Sequence, residues 1–165
     1  MSRPAPAPEF VMTQEMAGIW DRLGVDNVYL TGRAGTGKSS TARQFHATTR
    51  LQVAVVAPTG TAALNSGGVT IHSFFRFGIG MQPKDVRVLH PEARELYESL
   101  DCLIIDEVSM VRADQMDCID SFLKKNGPHP GHPFGGVAIM MVGDLYQLEP
   151  VCPSAESILL RHYSS

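Results

Sequence analysis

Short apolar runs alternate along the chain with segments whose apolar residues recur at helical spacing. Four runs are continuously apolar, and we predict strands at residues 28–31, 52–57, 102–105 and 137–142. The helical spacing predicts helices at residues 14–23, 38–48, from 62 onward, 91–99, around 116–123 and 155–163. Because strands buried on both faces are apolar throughout, this pattern favours an α/β fold in which helices cover both faces of a parallel sheet.

Three segments interrupt this alternation. In residues 1–12 prolines alternate with small residues, so we predict a flexible, solvated arm ahead of a single domain at residues 13–165. Residues 66–80 combine glycines with a group of phenylalanines. Residues 126–136 contain four glycines and three prolines, which predicts a long surface loop.

Length and composition narrow the class of protein. A chain of 165 residues with 44% hydrophobic and 19% charged residues is typical of one globular domain. The net charge of −3 excludes a strongly basic protein that coats nucleic acid, but it is compatible with a small cationic groove. Three widely spaced cysteines indicate a reducing compartment. We expect no secretory leader and no membrane span.

A glycine-rich segment follows the first predicted strand and precedes a helix; it reads Gly32-Arg33-Ala34-Gly35-Thr36-Gly37-Lys38-Ser39. It matches in full the pattern G-x-x-x-x-G-K-[ST] of a phosphate-binding loop. The glycines let successive backbone N–H groups point at phosphate oxygens, and the helix adds its positive N-terminal end. Lys38 would contact the β- and γ-phosphates, and the Ser39 hydroxyl would ligate Mg²⁺. We predict a nucleotide-phosphate site that extends to Ser40.

Two carboxylates, Asp106 and Glu107, directly follow the third predicted strand. The carboxyl ends of parallel strands meet at one edge of a sheet, so these groups can face the phosphate loop. Asp106 is predicted to hold Mg²⁺ through water, and Glu107 to orient and deprotonate the attacking water. A third polar segment, residues 143–150, follows the last strand. Gln147 could report the γ-phosphate, although on the residues alone an ordinary turn explains this segment equally well.

The segment from His72 to Phe77 joins a hydrogen-bonding ring, three phenylalanines and an arginine. Such a group suits single-stranded nucleic acid, on which aromatic rings stack. Buried phenylalanines are equally typical of a core, and the sequence leaves both interpretations open for Phe74 and Phe75. His129 and His132, with Cys152 downstream, match no standard zinc spacing, so we predict a solvated loop there.

Taken together, the motifs resemble those of PIF-type (petite integration frequency) DNA helicases, relatives of RecD within helicase superfamily one. The matching segments occur in the family's order and are residues 30–39, 57–65, 67–74, 105–110, 133–136 and 143–147. The phosphate loop is shared with many nucleotide hydrolases, whereas the segments at 57–65, 67–74 and 105–110 are much more specific. The resemblance covers most of residues 26–152.

This resemblance implies a RecA-like fold and ATP-driven translocation along single-stranded DNA, typically 5′ to 3′. It implies adenine recognition by Gln14, catalysis with Lys38 and Glu107, and coupling of nucleotide to DNA by Gln147. The DNA path it implies contains Thr59, Gly60, His72 and Ser73. The cellular location would be the bacterial cytoplasm at the nucleoid, or the nucleus or mitochondrion.

Two departures from the family pattern limit these expectations. Glu149 stands where the family usually has proline. The second motor domain, whose arginines complete the ATP site, does not appear in the sequence, so we expect a fragment that binds ATP and Mg²⁺ but hydrolyses ATP very slowly. Two other functions remain open at this point: a stand-alone P-loop phosphotransferase, and a non-catalytic module whose interactions depend on nucleotide.

Overall fold

The computed structural model of the chain describes residues 17–19, 22–23, 26–33 and 35–144. Residues 17–19 and 22 are helical, as predicted for this part of the chain. The predicted N-terminal arm and the predicted helix at 155–163 lie outside the described residues.

Five parallel strands form one sheet in the order β1-β5-β4-β2-β3. They are β1 Val28–Leu30, β2 Val53–Ala57, β3 Val69–Thr70, β4 Cys102–Ile105 and β5 Ala138–Val142. The predicted parallel sheet is therefore confirmed, and four of its strands lie where the apolar runs placed them. Strand β3 was not predicted, because two residues are too few to show a periodicity.

Five α-helices connect these strands: α1 Lys38–Thr48, α2 Gly60–Ser66, α3 Ile71–Phe75, α4 Pro91–Glu98 and α5 Ala113–Asn126. Short 3₁₀ turns occur at Pro83–Asp85, Val108–Met110 and Pro133–Gly136. Threonines begin two of the helices: the Thr59 side chain accepts a hydrogen bond from the Ala62 N–H, and the Thr70 side chain accepts one from the Ser73 N–H. Helix α3 was missed, since residues 66–80 were predicted only as a glycine-rich segment.

Alternate residues of each central strand face opposite sides of the sheet, and each side has its own core. In β4, Leu103 and Ile105 belong to the core that α3, α4 and α5 cover, whereas Cys102 and Ile104 belong to the core beneath α1. The predicted cover of helices on both faces is confirmed. All four of these side chains are fully buried, which explains why the strand is apolar throughout.

The phenylalanines of residues 74–77 belong to the first of these cores. Phe75 is 1% exposed, and its ring lies 5.2 Å from that of Phe77 and 5.1 Å from that of Phe122. Phe74 is half-buried, and its ring makes an edge contact with Tyr97. The structure thus decides the open question in favour of core packing for Phe74 and Phe75.

Gly68 allows β3 to lie against β2. A Cβ atom at this position would lie 2.2 Å from the Val55 carbonyl oxygen, so any other residue would push the two strands apart. The short edge strand therefore depends on a close backbone approach, and it carries the chain directly into α3 and the residues predicted to contact DNA.

Replacing Thr70 by alanine is expected to destabilise the protein by about 1 kcal/mol, because the first turn of α3 loses its side-chain acceptor. For a domain of this size the midpoint of thermal unfolding should fall by about 2–4 °C. Circular dichroism during heating measures this shift. Thr70→Ser is the matched control, since it keeps the hydroxyl group, and equal destabilisation by both variants would contradict the capping role.

The two cysteines within the described residues should be unreactive in the folded protein. Burial raises the pKa of the Cys102 thiol to about 12 and that of Cys118 to about 11, and neighbouring aspartates add to both shifts. Since the thiolate is the reactive form, a thiol reagent at pH 8 is expected to label neither residue in a Cys152→Ser variant until denaturant is added. Mass spectrometry would detect the adducts, and rapid labelling of the native protein would contradict the burial.

Candidate functional site

The candidate site lies where β1, β4 and β5 end. Residues 31–37 connect β1 to α1, Asp106 and Glu107 follow β4, and Gly143 follows β5. The Gly143 N–H donates a hydrogen bond of 3.2 Å to the carbonyl of Leu30, the last residue of β1. This bond holds the loops after β1 and β5 side by side.

Two glycines give the loop before α1 its curvature. Gly35 and Gly37 have φ angles of +77° and +87°, in the left-handed region that L-residues rarely adopt. Gly37 is also the N-cap of α1, and it has no side chain to accept hydrogen bonds from the first helical turn. The N–H groups at the positive end of α1 are thus available to an anion.

Lys38 folds back over this loop. Its Nζ donates hydrogen bonds of 2.6 Å to the Gly32 carbonyl and 3.0 Å to the Arg33 carbonyl. The Thr36 hydroxyl also donates to the Arg33 carbonyl, at 2.8 Å. These bonds close the loop by tying Lys38 and Thr36 to carbonyls at its beginning.

Ser39 and Asp106 bring α1 and β4 together. The Ser39 hydroxyl donates a hydrogen bond of 3.3 Å to Asp106 Oδ1, and the Glu107 N–H donates one of 3.0 Å to the same oxygen. Asp106 is only 4% exposed. Burial raises the pKa of its carboxyl, while these two hydrogen bonds and the charges of Arg43 and Lys38 act in the opposite direction.

Glu107 has an uncommon backbone conformation. Its φ and ψ are +52° and +44°, a left-handed conformation that costs a residue with a Cβ on the order of 1–3 kcal/mol. The conformation lets the chain turn sharply from β4 into the 3₁₀ turn Val108–Met110. It places Glu107 in the lining of two adjoining cavities.

The first of these, the nucleotide cavity, has a volume of about 360 Å³ and lies between the loop and the β4 carboxylates. Its lining consists of Gly35, Gly37, Lys38, Ser39, Ser40, Asp106, Glu107 and Gly143. Seven of these eight residues were predicted for the site from the sequence. Of the other predicted residues, Gly32 and Arg33 accept hydrogen bonds from Lys38, and Thr36 donates one to Arg33, but these three do not line the cavity. Gln14, Ala34 and Gln147 lie outside the described residues.

The prediction missed two contributions. A side chain at Gly143 would meet Val108 at 3.0 Å, so glycine lets the loop after β5 pack on the turn after β4. Arg43 donates hydrogen bonds to the Ser40 hydroxyl and to the Asn65 carbonyl, linking α1 to α2. Its position four residues after Ser39, on the same face of a predicted helix, is a signal that could have identified it.

The second cavity, of about 250 Å³, separates Glu107 from α2 and is also lined by Thr59. Gly60 is the first residue of α2, while His72 and Ser73 are exposed on α3. The four residues predicted for DNA thus lie just after β2 and β3, at the same edge of the sheet as the nucleotide cavity. His72 and Ser73 do not line the cavity that contains Thr59.

The described residues contain no group of three or more His, Cys, Asp or Glu side chains arranged to hold a metal ion. His129 and His132 are both exposed, with ring centres 6.0 Å apart. Among the helices of the described segments, none combines the length and apolar character needed to cross a bilayer.

The parallel sheet, the closed glycine loop before α1 and the buried Asp106 opposite Ser39 define a P-loop nucleotide-hydrolase fold of the RecA-like class. The sequence model of the PIF1-like helicases matches residues 12–161. The chain belongs to this family, which confirms the resemblance drawn from the motifs.

Curated relatives and solved structures agree with this assignment. The chain is 39% identical over 136 residues to the ATP-dependent DNA helicase PIF1 of Saccharomyces cerevisiae, and 32% identical over 161 residues to that of Homo sapiens. The alignments cover 76% and 94% of this chain but only 16% and 25% of those proteins. The chain therefore spans a quarter or less of these relatives.

The structure superposes on Bacteroides Pif1 helicase in complex with ADP-AlF3 and single-stranded DNA with a TM-score of 0.85, at 38% identity over 94% of this chain and 37% of that one. The Candida albicans Pif1 helicase gives a TM-score of 0.75 at 33% identity, over 87% of this chain and 35% of that one. Family membership removes the support for a stand-alone phosphotransferase.

Proposed function

We propose that this chain is the ATP-binding motor domain of an ATP-dependent DNA helicase. The observation that carries the proposal is the convergence of Lys38, Ser39, Asp106 and Glu107 on one cavity of about 360 Å³. A lysine, the N-terminal end of a helix, a hydroxyl paired with a buried carboxylate and a second carboxylate are the parts that bind and cleave a nucleoside triphosphate. Bacteroides Pif1, solved with ADP-AlF3 and single-stranded DNA, shares the fold.

Mg²⁺ fits the Ser39–Asp106 pair. Magnesium usually takes one or two protein oxygens and completes its shell with water and phosphate oxygens, so two oxygen donors are sufficient. The buried carboxylate of Asp106 has a raised pKa, and a nearby cation would favour its charged form. When bound, the ion would neutralise charge on the β- and γ-phosphates.

Different residues of the chain would bind the phosphates and accept the proton. Lys38 would exchange its bonds to the Gly32 and Arg33 carbonyls for bonds to phosphate oxygens, and the N–H groups of the loop would hold the same phosphates. Glu107 would accept a proton from the water that attacks the terminal phosphate. Adenine contact by Gln14 and coupling through Gln147 remain predictions that belong to the same proposal.

A second motor domain is part of this proposal. Arginines supplied from outside this domain would stabilise the charge of the transition state, a contribution of about 10³–10⁵ in rate at related sites. This chain alone should therefore bind ATP and Mg²⁺ but turn ATP over very slowly, and it should bind single-stranded DNA weakly. Translocation, typically 5′ to 3′, would require both motor domains.

Calorimetric titration of the chain with ATP, with and without Mg²⁺, tests the nucleotide site. We expect tighter binding with Mg²⁺. Phosphate release should be slow in the presence and absence of single-stranded DNA. Failure to bind ATP both with and without Mg²⁺ would overturn the proposal. Fast, DNA-stimulated phosphate release would instead overturn the need for a second domain.

A further inference from the structure

A third cavity, of about 290 Å³, shares no described lining residue with the nucleotide cavity. Its inner wall is apolar: Phe77 is 8% exposed, Cys118 is 2% exposed, and Met81 is half-buried. The volume lies just below the range for sites that bind drug-sized molecules, which is about 300–1,000 Å³. A single flat heterocycle fits within this volume.

The polar rim of this cavity offers hydrogen-bonding groups but little net charge. Gln115 Nε2 lies 3.4 Å from His72 Nδ1. Arg112 is held by two hydrogen bonds to the Asp114 carboxylate, of 3.0 Å and 2.7 Å, so its charge is compensated locally. A phosphate would gain little from such a rim, whereas the polar edge of a nucleobase matches an amide and an imidazole.

An exposed isoleucine stands at the mouth of the cavity. Ile79 is fully exposed and lies between Gly78 and Gly80, the second of which has a φ of +73°. Covering such an exposed aliphatic side chain with an apolar surface is favourable, because it removes apolar area from water. A planar ring in the cavity would provide that surface.

We propose that this cavity accepts one base of a single DNA strand. The ring would pack against Phe77 and Ile79, and its polar edge would face Gln115 and His72. The inference rests on the proposed function, because His72 belongs to the predicted DNA path. Under this proposal the cavity contacts a base of the strand. In most nucleic-acid binders, by contrast, contacts with phosphates dominate the affinity.

Binding of labelled oligonucleotides tests this assignment when measured by fluorescence anisotropy at low salt. The probes are a short oligothymidine and an abasic oligonucleotide of the same length. We expect the wild-type chain to bind the oligothymidine about tenfold more tightly, as stacking of a base in single-strand binders predicts. Gln115→Ala and Ile79→Ala should each reduce this preference by about threefold or more, with little change in binding of the abasic strand.

Gln44→Ala is the matched control, because Gln44 lies on α1, on the opposite face of the sheet. It should leave the preference unchanged, and all variants should melt at the wild-type temperature. A full preference in both cavity variants would overturn the base site while leaving the proposed function intact. The base site would also be overturned if the wild type bound both probes equally well. The same holds if free thymidine bound as tightly as the oligothymidine. Failure to bind any oligonucleotide would overturn the proposed DNA partner as well.

Discussion

Replacing Lys38 by alanine is expected to weaken ATP binding by about a hundredfold. The ammonium group is held by two carbonyls of the phosphate loop, and it lines the nucleotide cavity. Hydrogen bonds to charged groups contribute about 1.5–3 kcal/mol each, and alanine leaves the phosphates without this cation. Titration with a fluorescent ATP analogue measures the loss. Binding within about threefold of the wild type would contradict the assignment of the loop.

Lys84→Ala is the control for Lys38→Ala, since it removes the same charge from an exposed 3₁₀ turn far along the chain. It should bind ATP as the wild type does. Circular dichroism must show that both variants fold, because the two bonds from Lys38 also support the loop. If the Lys84 variant lost as much affinity as the Lys38 variant, net charge rather than the loop would govern binding.

Replacing Glu107 by glutamine should impair ATP hydrolysis and not ATP binding. Nucleotide affinity is expected to remain near the wild-type value, while the residual hydrolysis falls by about 10²–10⁴, the usual contribution of a general base. Glutamine keeps the size of the side chain but accepts no proton at neutral pH. Single-turnover phosphate release, measured beside an ATP titration, separates chemistry from binding.

Glu92→Gln on α4 is the control for Glu107→Gln, because Glu92 is exposed and lies outside both cavities that contain Glu107. It should change neither binding nor hydrolysis. Loss of ATP affinity by the Glu107 variant as severe as that of Lys38→Ala would show that Glu107 holds the nucleotide. Its assignment as the base would then be wrong.

The parts of the site that were predicted from the sequence are local in the chain. The phosphate loop is one uninterrupted segment, and the Asp106–Glu107 pair directly follows a strand whose apolar character is unmistakable. The rule that parallel strands deliver their carboxyl ends to one edge was then sufficient to bring the two together. Buried strands were identified for the same reason, since each pattern is complete within a few residues.

The features that were missed depend on contacts between distant residues. Strand β3 exists because Gly68 lets it approach Val55, and no pattern in two residues reveals such an approach. The sequence could not decide whether Phe75 is buried in the core, because the ring that packs against it belongs to Phe122, 47 residues further along the chain. The fold of Lys38 onto its own loop depends on backbone angles that glycines permit but do not specify.

The left-handed backbone at Glu107 has a consequence for how this position should vary among descendants of the protein. Asparagine and glycine tolerate such angles far better than glutamate does. A lineage that no longer needed a general base at this position would thus relieve the strained backbone by exchanging the residue. Under the proposed role of Glu107 as the base, persistence of glutamate at this point in a descendant would therefore indicate selection for turnover, and its replacement by asparagine or glycine would mark the loss of that role.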